Sequence, residues 1–534
     1  MNRQIYCPRP PAIILRWCAV FTAFLMVILM IMFGCSKSPT ESPPPQGQGS
    51  LLVDRLIVSM VPGGSETVAV YAKNSDGNPE SFSITNSDPD IASASISDSA
   101  IYITGLSYGT TTIEITSGSR ASSTLPVQVY DPFYLDTGEI IVTYVDSFTY
   151  IWHDAGSGAP NDWAVYQPVV GEGFHALGSL GVPNWSNPNG NYSMMVVKAK
   201  QGSDALAEPT GYEFVWFYRV FDWPNGFIYR VSVWRPIPPE GYVALGAVAI
   251  QGYDGPPPLD YVVCVREDLT IDGGPGTYIW HDADTGMPYD LGCWRIDQPD
   301  AGPHEYAYLT TGTFVGWNSW SPPNIHDVMH VLKVTLPMLA EAPYQTFVPA
   351  LTGYESPPEE TVPMMGKAML VPCTIVNDQV YSNNVHWQVA NSPFYRLERQ
   401  VFYKLLYHNH NQTSEVQTNS VTIRSGITTS ESERIWNETE ISVSVEAGLS
   451  IKAFSGKVTA TVSRRFGYET ETSVTELQET EIQSSINTPP GKAAALWQQY
   501  NRYILKRHNG TGFETVSSWE FGIDSYVTDE YPDN

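Results

Sequence analysis

Apolar residues run along this chain in four successive patterns. From Trp17 to Phe33 they are continuous, WCAVFTAFLMVILMIMF, with Thr22 as the one polar break, which predicts an apolar segment at the lower limit of membrane-spanning length. From Leu51 to Tyr130 they come in short alternating runs such as SETVAVYAK, AIYITG and TTTIEITSG, separated by Gly, Pro, Asn and Asp. Seven or so short strands with frequent turns predict a two-sheet sandwich. After Tyr150, large aromatics alternate with tight-turn glycines. From Ile441 the apolar residues take every second place: Ile441, Val443, Val445, Ala447, Leu449 and Ile451. After the KAFSGK turn come Val458, Ala460 and Val462. This predicts one half-exposed strand and its return strand. Amphipathic helical periodicity is almost absent beyond the first forty residues, so the chain reads as all-β.

The aromatic region repeats itself. YIWHDAGSGAP from Tyr150 returns as YIWHDADTGMP from Tyr278, with the same step from Trp152 to Tyr166 as from Trp280 to Trp294. The following half returns from Trp234 as WRPIPPEGYVALGAVA, with Pro168 to Gly178 matching Pro236 to Gly246. The copies start near Tyr150, Val215 and Tyr278. Three units of roughly sixty residues predict a pseudo-threefold β structure in which no unit buries its apolar face alone. Repetition assigns Trp152, Trp234 and Trp280 to packing. Trp163, Trp185, Trp317 and Trp320 lie in Asn/Ser/Pro/Gly loops and are the candidates for ligand contact.

Composition narrows the partners. The net charge is -27, with the only N-terminal cations being Arg3, Arg9 and Arg16, which argues against nucleic acid and against simple electrostatic adhesion to anionic lipid. The arginines ahead of the apolar run read as an export signal. Gly34-Cys35, directly after it, resembles the lipobox of bacterial lipoproteins. That resemblance implies acylation of Cys35 and a bacterial cell-envelope location, at the outer membrane or cell surface; an uncleaved anchor is the alternative. The Ser/Pro/Gly/Gln tract that follows is too polar to fold. Cys7 and Cys18 leave with the signal, so Cys264, Cys293 and Cys373 allow one disulfide at most.

The expected organisation is a signal over 1–34, a tether over 35–50, a sandwich over 51–130 and repeats over 131–337. A connector over 338–391 and an elongated antiparallel β domain with a long hairpin over 392–534 complete it. In the sandwich, Gly63-Gly64, SDPDIAS from Ser87 and ITGLSYGTTTIEI from Ile103 resemble the bacterial Ig-like (group 2) domain, which implies a surface-exposed spacer. In the repeats, Trp152, Asp154, Gly156, Ser157, Gly158 and Ala159, then Trp234, Arg235, Pro236, Pro239, Gly241, Tyr242, Leu245 and Gly246, resemble the vacuolar protein sorting-associated protein 62 family. That likeness implies a β-prism-like module binding a glycan or lipid headgroup, and it extends into the tail from Ser392. The Ser/Thr/Glu-rich tail resembles the insertion hairpins of aerolysin-like pore formers, with Ile441, Val443, Val445, Leu449, Ile451, Val458 and Val462 as the membrane-facing residues.

No catalytic constellation persuades: HExxH, GxxxxGK[ST] and CxxC do not occur. Asp282, Asp284 and Gly286 begin like a Ca²⁺ loop, but Met287 stands at the sixth place and Cys293 where the bidentate Glu belongs. Asp154 and Asp282 are therefore expected to cap turns, with His153 and His281 bracing them. His408 and His410 alternate without a third metal ligand. The leading expectation is a non-enzymatic, cofactor-free, lipid-anchored protein that binds through the repeats. The alternative is an oligomerising membrane-perforating toxin with its hairpin near 435–466, and the third a hydrolase with an unfamiliar site.

Overall fold

The computed structural model describes residues 50–532 except 56, 119–121, 300–306, 324–327, 335–337, 342–347, 382–383, 440, 445–447, 452–479 and 511. The signal segment, Cys35, the tether up to Gly49 and the expected membrane-facing residues Val445, Val458 and Val462 lie outside the described residues.

Two four-stranded sheets face each other between Ser50 and Val129. Alternation sets their inner faces: in Gly109–Ser117, Thr111, Ile113, Ile115 and Ser117 are buried and the residues between them are not. Val58, Val68, Ile101, Ile103, Ile113, Ile115, Leu125 and Val127 form the core between the sheets. The Arg396 guanidinium of the C-terminal sheet donates to the Ser59 carbonyl at 2.6 Å, tying the sandwich to the rest of the molecule. Arg396 pairs with Glu398 at 2.8 Å. Burial pushes the Glu398 carboxyl up, but the cations Arg396, Lys506 and Arg55 outweigh it and hold it below its ordinary range.

The repeat region is three units of six strands each. In every unit the first, fourth and sixth strands form one antiparallel sheet and the second, third and fifth another. The second strands are Phe148–His153, Gly211–Asp222 and Gly274–His281, and their partners are Ala164–Pro168, Gly226–Ile237 and Gly292–Asp297. Each pair carries a bulge at the same place, between Tyr150 and Trp152, Phe214 and Trp216, and Tyr278 and Trp280. The bulge lets two successive side chains turn inward, so Ile151 with Trp152, Val215 with Trp216, and Ile279 with Trp280 are all buried. Trp152, Trp216 and Trp280 are thus the true threefold set. The match of Pro236–Gly246 to Pro168–Gly178 puts Trp234 level with Tyr166, and the register agrees: Trp234 stands opposite Phe214 as Tyr166 does opposite Tyr150 and Trp294 opposite Tyr278.

The two kinds of sheet feed two cores. Ile140, Val142, Met195, Val263, Val265, Leu332 and Val334 of the first kind merge with Met369, Phe394, Leu397, Tyr503 and Trp519 of the C-terminal sheet. The second kind closes around Trp152, Trp163, Trp216, Trp280 and Phe314, a separate core that no residue of the C-terminal sheet joins.

The C-terminal sheet runs in the order Met338–Glu341, Met364–Pro372, Phe394–His410, Ala493–His508 and Phe513–Tyr531, antiparallel throughout. The stretch expected as a connector therefore contributes two of its strands. A two-stranded ribbon, Gln417–Ser425 with Thr480–Thr488, packs on this sheet. A helix, Thr429–Thr439, was not anticipated. Its start is a capping box in which the Glu431 N–H donates to Thr428 Oγ1 at 3.1 Å and the Thr428 N–H to Glu431 Oε2 at 3.2 Å.

The expected eleven-residue strand is instead a hairpin. Ile441–Ser444 pairs with Gly448–Ile451, with Ile441 opposite Ile451 and Val443 opposite Leu449, so the chain reverses well before KAFSGK. Each odd position pairs with another odd position. A strict period of two is therefore the same for a straight strand and for one folded at its midpoint.

Candidate functional site

The distal core is organised by two buried carboxylates. Asp154 and Asp282 each follow the bulge tryptophan of their unit by two residues, at the turn that leaves the strand. Asp154 Oδ1 accepts from the Trp163 backbone N–H at 2.8 Å and from the Trp185 indole at 2.7 Å, and Oδ2 from the Trp280 indole at 2.8 Å. Asp282 repeats the set: Oδ1 accepts from the Leu291 N–H at 2.9 Å and the Trp320 indole at 2.8 Å, and Oδ2 from the Trp216 indole at 2.8 Å. Every acceptor is taken by an N–H, the environment of a turn cap rather than of a cation ligand. Burial pushes the Asp282 carboxyl above its ordinary range, against the pull of the Leu291, Trp320 and Trp216 donors.

These contacts run between units. The third unit's Trp280 reaches the first unit's Asp154, and the second unit's Trp216 reaches the third unit's Asp282. The cycle breaks at its third step, where Tyr218 holds the place of the aspartate. The Trp152 ring meets the Tyr218 ring at 5.2 Å, and the Tyr218 hydroxyl points to the Gly156 carbonyl at 3.5 Å. The turn itself needs left-handed backbone: Gly156 has φ 81°, and its counterpart Asp284 has φ 67°, one of the few polar residues that tolerate it.

The four candidate tryptophans divide. Trp163 is fully buried and stacks on Trp280 at 4.8 Å, so it is core and not a ligand contact. Its counterpart is Leu291, whose N–H caps the equivalent carboxylate, and the change of residue type hid the equivalence. Trp317 is half-buried, with the Arg235 guanidinium over its ring at 4.9 Å and Arg235 paired with Glu213 at 2.9 Å. Trp185 and Trp320 remain half exposed. Each has its indole N–H directed inward to a carboxylate and its ring beside a histidine, His153 at 5.9 Å and His281 at 5.7 Å. The histidines brace the turns, with Nδ1 accepting from the Ala155 and Ala283 N–H groups. What the two tryptophans offer outward is therefore a fixed aromatic face without its donor, suited to stacking against sugar C–H groups or lipid.

The same end of the repeats carries aromatics that sequence reasoning passed over. Tyr289 is 49% exposed, Phe221 59%, Phe227 53% and Trp223 83%. Their signal was present in the sequence as FDWPNGF, a hairpin turn with rings on both sides where turn residues are usually polar.

Elsewhere the candidate chemistry is structural. The His410 ring stacks on Tyr354 at 4.4 Å, and no group of three or more His, Cys, Asp or Glu fit to hold a metal occurs among the described residues. Cys264, Cys293 and Cys373 are free and buried. Of the expected membrane-facing residues, Ile441, Val443, Leu449 and Ile451 lie in the short hairpin.

Comparison with known proteins divides the chain in two. Residues 121–358 match the family model described as vacuolar protein sorting-associated protein 62, and residues 364–532 match that described as Insecticidal Crystal Toxin, P42. No curated protein matches the chain. Among solved structures, GNIP1Aa from Chromobacterium piscinae is 25% identical with a TM-score of 0.31, over 39% of this chain and 38% of that one. Cry35Ab1 is 14% identical with a TM-score of 0.30, over 62% of this chain and 90% of that one. The oligomeric pore-forming toxin pro-Monalysin is 9% identical with a TM-score of 0.16, over 33% and 72%. The chain spans less than half the length of GNIP1Aa.

Proposed function

We propose that this is a non-enzymatic, toxin-like protein that docks on a glycan or lipid headgroup through the aromatic end of its repeats and perforates a membrane with its C-terminal part. The observation that carries the reading is the insecticidal-toxin match over 364–532, the part that contains the Ser/Thr-rich ribbon. The ribbon strands are nine residues each, the length a tilted transmembrane strand needs, about nine to eleven residues. Among the described residues the strands of the 441–451 hairpin are four residues each, shorter than that, which favours the ribbon over the hairpin as the insertion element. In the folded chain the ribbon rests on the sheet through Ile423 and Ile486 against Leu496, with Leu406, Tyr407, Val421 and Tyr526 around them. Asn419 Nδ2 donates to the Tyr407 hydroxyl at 2.6 Å, Asn409 Nδ2 to Gln417 Oε1 at 2.7 Å and Gln498 Nε2 to the Arg424 carbonyl at 2.9 Å. Insertion would have to exchange these contacts for a membrane. Export and acylation of Cys35 would hold the protein outside a bacterial cell until it meets its target.

Dye release from liposomes by the chain from Ser50 onward tests this. Release accompanied by ring-shaped oligomers is expected. Val421→Lys, on the apolar side of the ribbon, should abolish release while leaving docking intact, because a lipid-facing cation near the midplane costs roughly 2–4 kcal/mol. Val443→Lys should leave release largely unchanged. No release while liposome or glycan binding persists would sink perforation and leave a docking protein.

A further inference from the structure

We infer that the middle unit's long hairpin is a lipid anchor whose tip, Phe221, Trp223 and Phe227, enters the interface of a zwitterionic bilayer; this rests on the docking part of the function proposed above. The hairpin is where the threefold pattern is broken in length. In the first and third units the chain leaves the strand at Asp154 or Asp282 and makes a loop. In the middle unit the strands Gly211–Asp222 and Gly226–Ile237 continue and reverse over Trp223, Pro224 and Asn225. The sheet's third strand stops where Gln251 meets Val231. Beyond that point the pairs Arg219 with Tyr229, Val220 with Ile228, Phe221 with Phe227 and Asp222 with Gly226 project with no further strand beside them.

The chemistry of the projection selects its partner. Trp223 is the most exposed large apolar residue among those described, at 83%, and its ring lies 6.4 Å from Phe221, which lies 5.3 Å from Phe227. At the base of the tip the Arg219 guanidinium sits over the Phe227 ring at 3.9 Å and donates to the Tyr229 hydroxyl at 3.2 Å. Aromatic rings with a cation two rungs behind them match the layers of a bilayer surface, rings at the headgroup and acyl boundary and guanidinium at the phosphates. Pro224 has no N–H to desolvate, and Asn225 Nδ2 donates to Asp222 Oδ2 at 2.9 Å; the Asp222 carboxylate confines the tip to the hydrated headgroup interface and keeps it out of the hydrocarbon. Sugar recognition would need donors and acceptors converging on a concave surface beside the ring, and a projecting two-stranded tip is convex. The chain's charge of -27 would repel anionic lipid, which leaves phosphatidylcholine-type surfaces. Half-exposed Trp185, Trp320 and Tyr289 lie at the same end, with Tyr289 against Phe217 at 5.8 Å, and would lie flat against the surface once the tip is in.

Photo-crosslinking of the full chain on phosphatidylcholine vesicles tests the anchor, with benzoylphenylalanine at position 223 in one preparation and at Tyr108, 61% exposed on the sandwich, in another. Lipid adducts are expected at 223 and not at 108. With the reporter moved to Phe227, Trp223→Ala should cut the lipid adduct by about tenfold. Because the tip is exposed, these variants keep the fold. Adducts only to a second copy of the chain, equal lipid adducts at 223 and 108, no adduct at 223 on vesicle-bound protein, or a chain that stays off the vesicles would each overturn the inference. Dye release is read separately. Lipid adducts at 223 without release leave the anchor standing and remove perforation, and release without adducts does the reverse.

Discussion

The outer two units and the middle unit of the repeat region have the same strand plan and opposite fates at one position. Two residues after the bulge tryptophan, the first and third units place an aspartate that gathers three N–H donors from two units. The middle unit places Tyr218, closes no such network, and continues into a projecting hairpin. Symmetry here builds the scaffold, because the tryptophans of the second and third units reach acceptors that their own units do not hold. Departure from symmetry builds the surface, because a strand released from capping a turn is free to carry exposed rings.

The comparison breaks most severely if a carboxylate is removed. Asp154→Ala leaves the Trp185 and Trp280 indoles and the Trp163 N–H without their acceptor, two of them in the core, and should lower stability by about 4 kcal/mol in chemical denaturation. Tyr218→Phe, at the equivalent place, loses only a long contact to Gly156 and should cost about 0.5 kcal/mol. Similar losses for the two would mean that the carboxylate network is not what distinguishes the units. Next come the donors. Trp280→Phe removes an indole that bonds Asp154 and should cost about 3 kcal/mol, whereas Trp152→Phe, facing a tyrosine ring instead, should cost about 1 kcal/mol.

How much of this could be read from the sequence depends on whether side-chain type or only position was repeated. The all-β class, the sandwich and three repeats followed directly from alternation and turn residues. Trp152 and Trp280 were legible because His and Asp follow both. Trp216 was not, because Phe217 and Tyr218 replace them, so only the second half of the middle unit, from Trp234, was legible. Trp163 was taken for a loop ligand because its counterpart is Leu291, a residue of different chemistry that fills the same core position. The reversal between Ser444 and Gly448 was invisible for a reason of parity, since the pairing keeps odd residues opposite odd ones. The helix Thr429–Thr439 could have been found from Thr428 and Glu431, whose spacing is that of a capping box.

A smaller effect is that of pH on Asp282. Burial raises the Asp282 carboxyl despite its donors, so the folded chain takes up that proton more readily than the unfolded chain does. The stability from this protonation is fully present below the unfolded carboxylate value of about 3.9. It is lost as pH rises through the higher folded value. Asp282→Asn should flatten that part of the stability curve between acid and neutral pH. An unchanged slope would show that other carboxylates carry the acid dependence.

The smallest effect expected comes from restoring symmetry where chemistry, rather than shape, departs from it. Opposite the bulge tryptophans stand Val165, Val233 and Cys293, so the third unit alone uses a thiol in this place. The thiol is fully buried, and burial pushes it well above the ordinary range, as it pushes Cys264 and Cys373 up to about 12. None is a thiolate at neutral pH, so a thiol reagent should label them only as fast as the fold opens. Cys293→Val replaces a small apolar side chain by another of similar size and should change stability by less than about 1 kcal/mol, with the remaining two thiols still protected. If that substitution cost several kcal/mol or exposed Cys264 to the reagent, the third unit's wall of the tryptophan core would not be equivalent to the other two. The threefold description would then hold for the backbone register and not for the packing that the register is meant to explain.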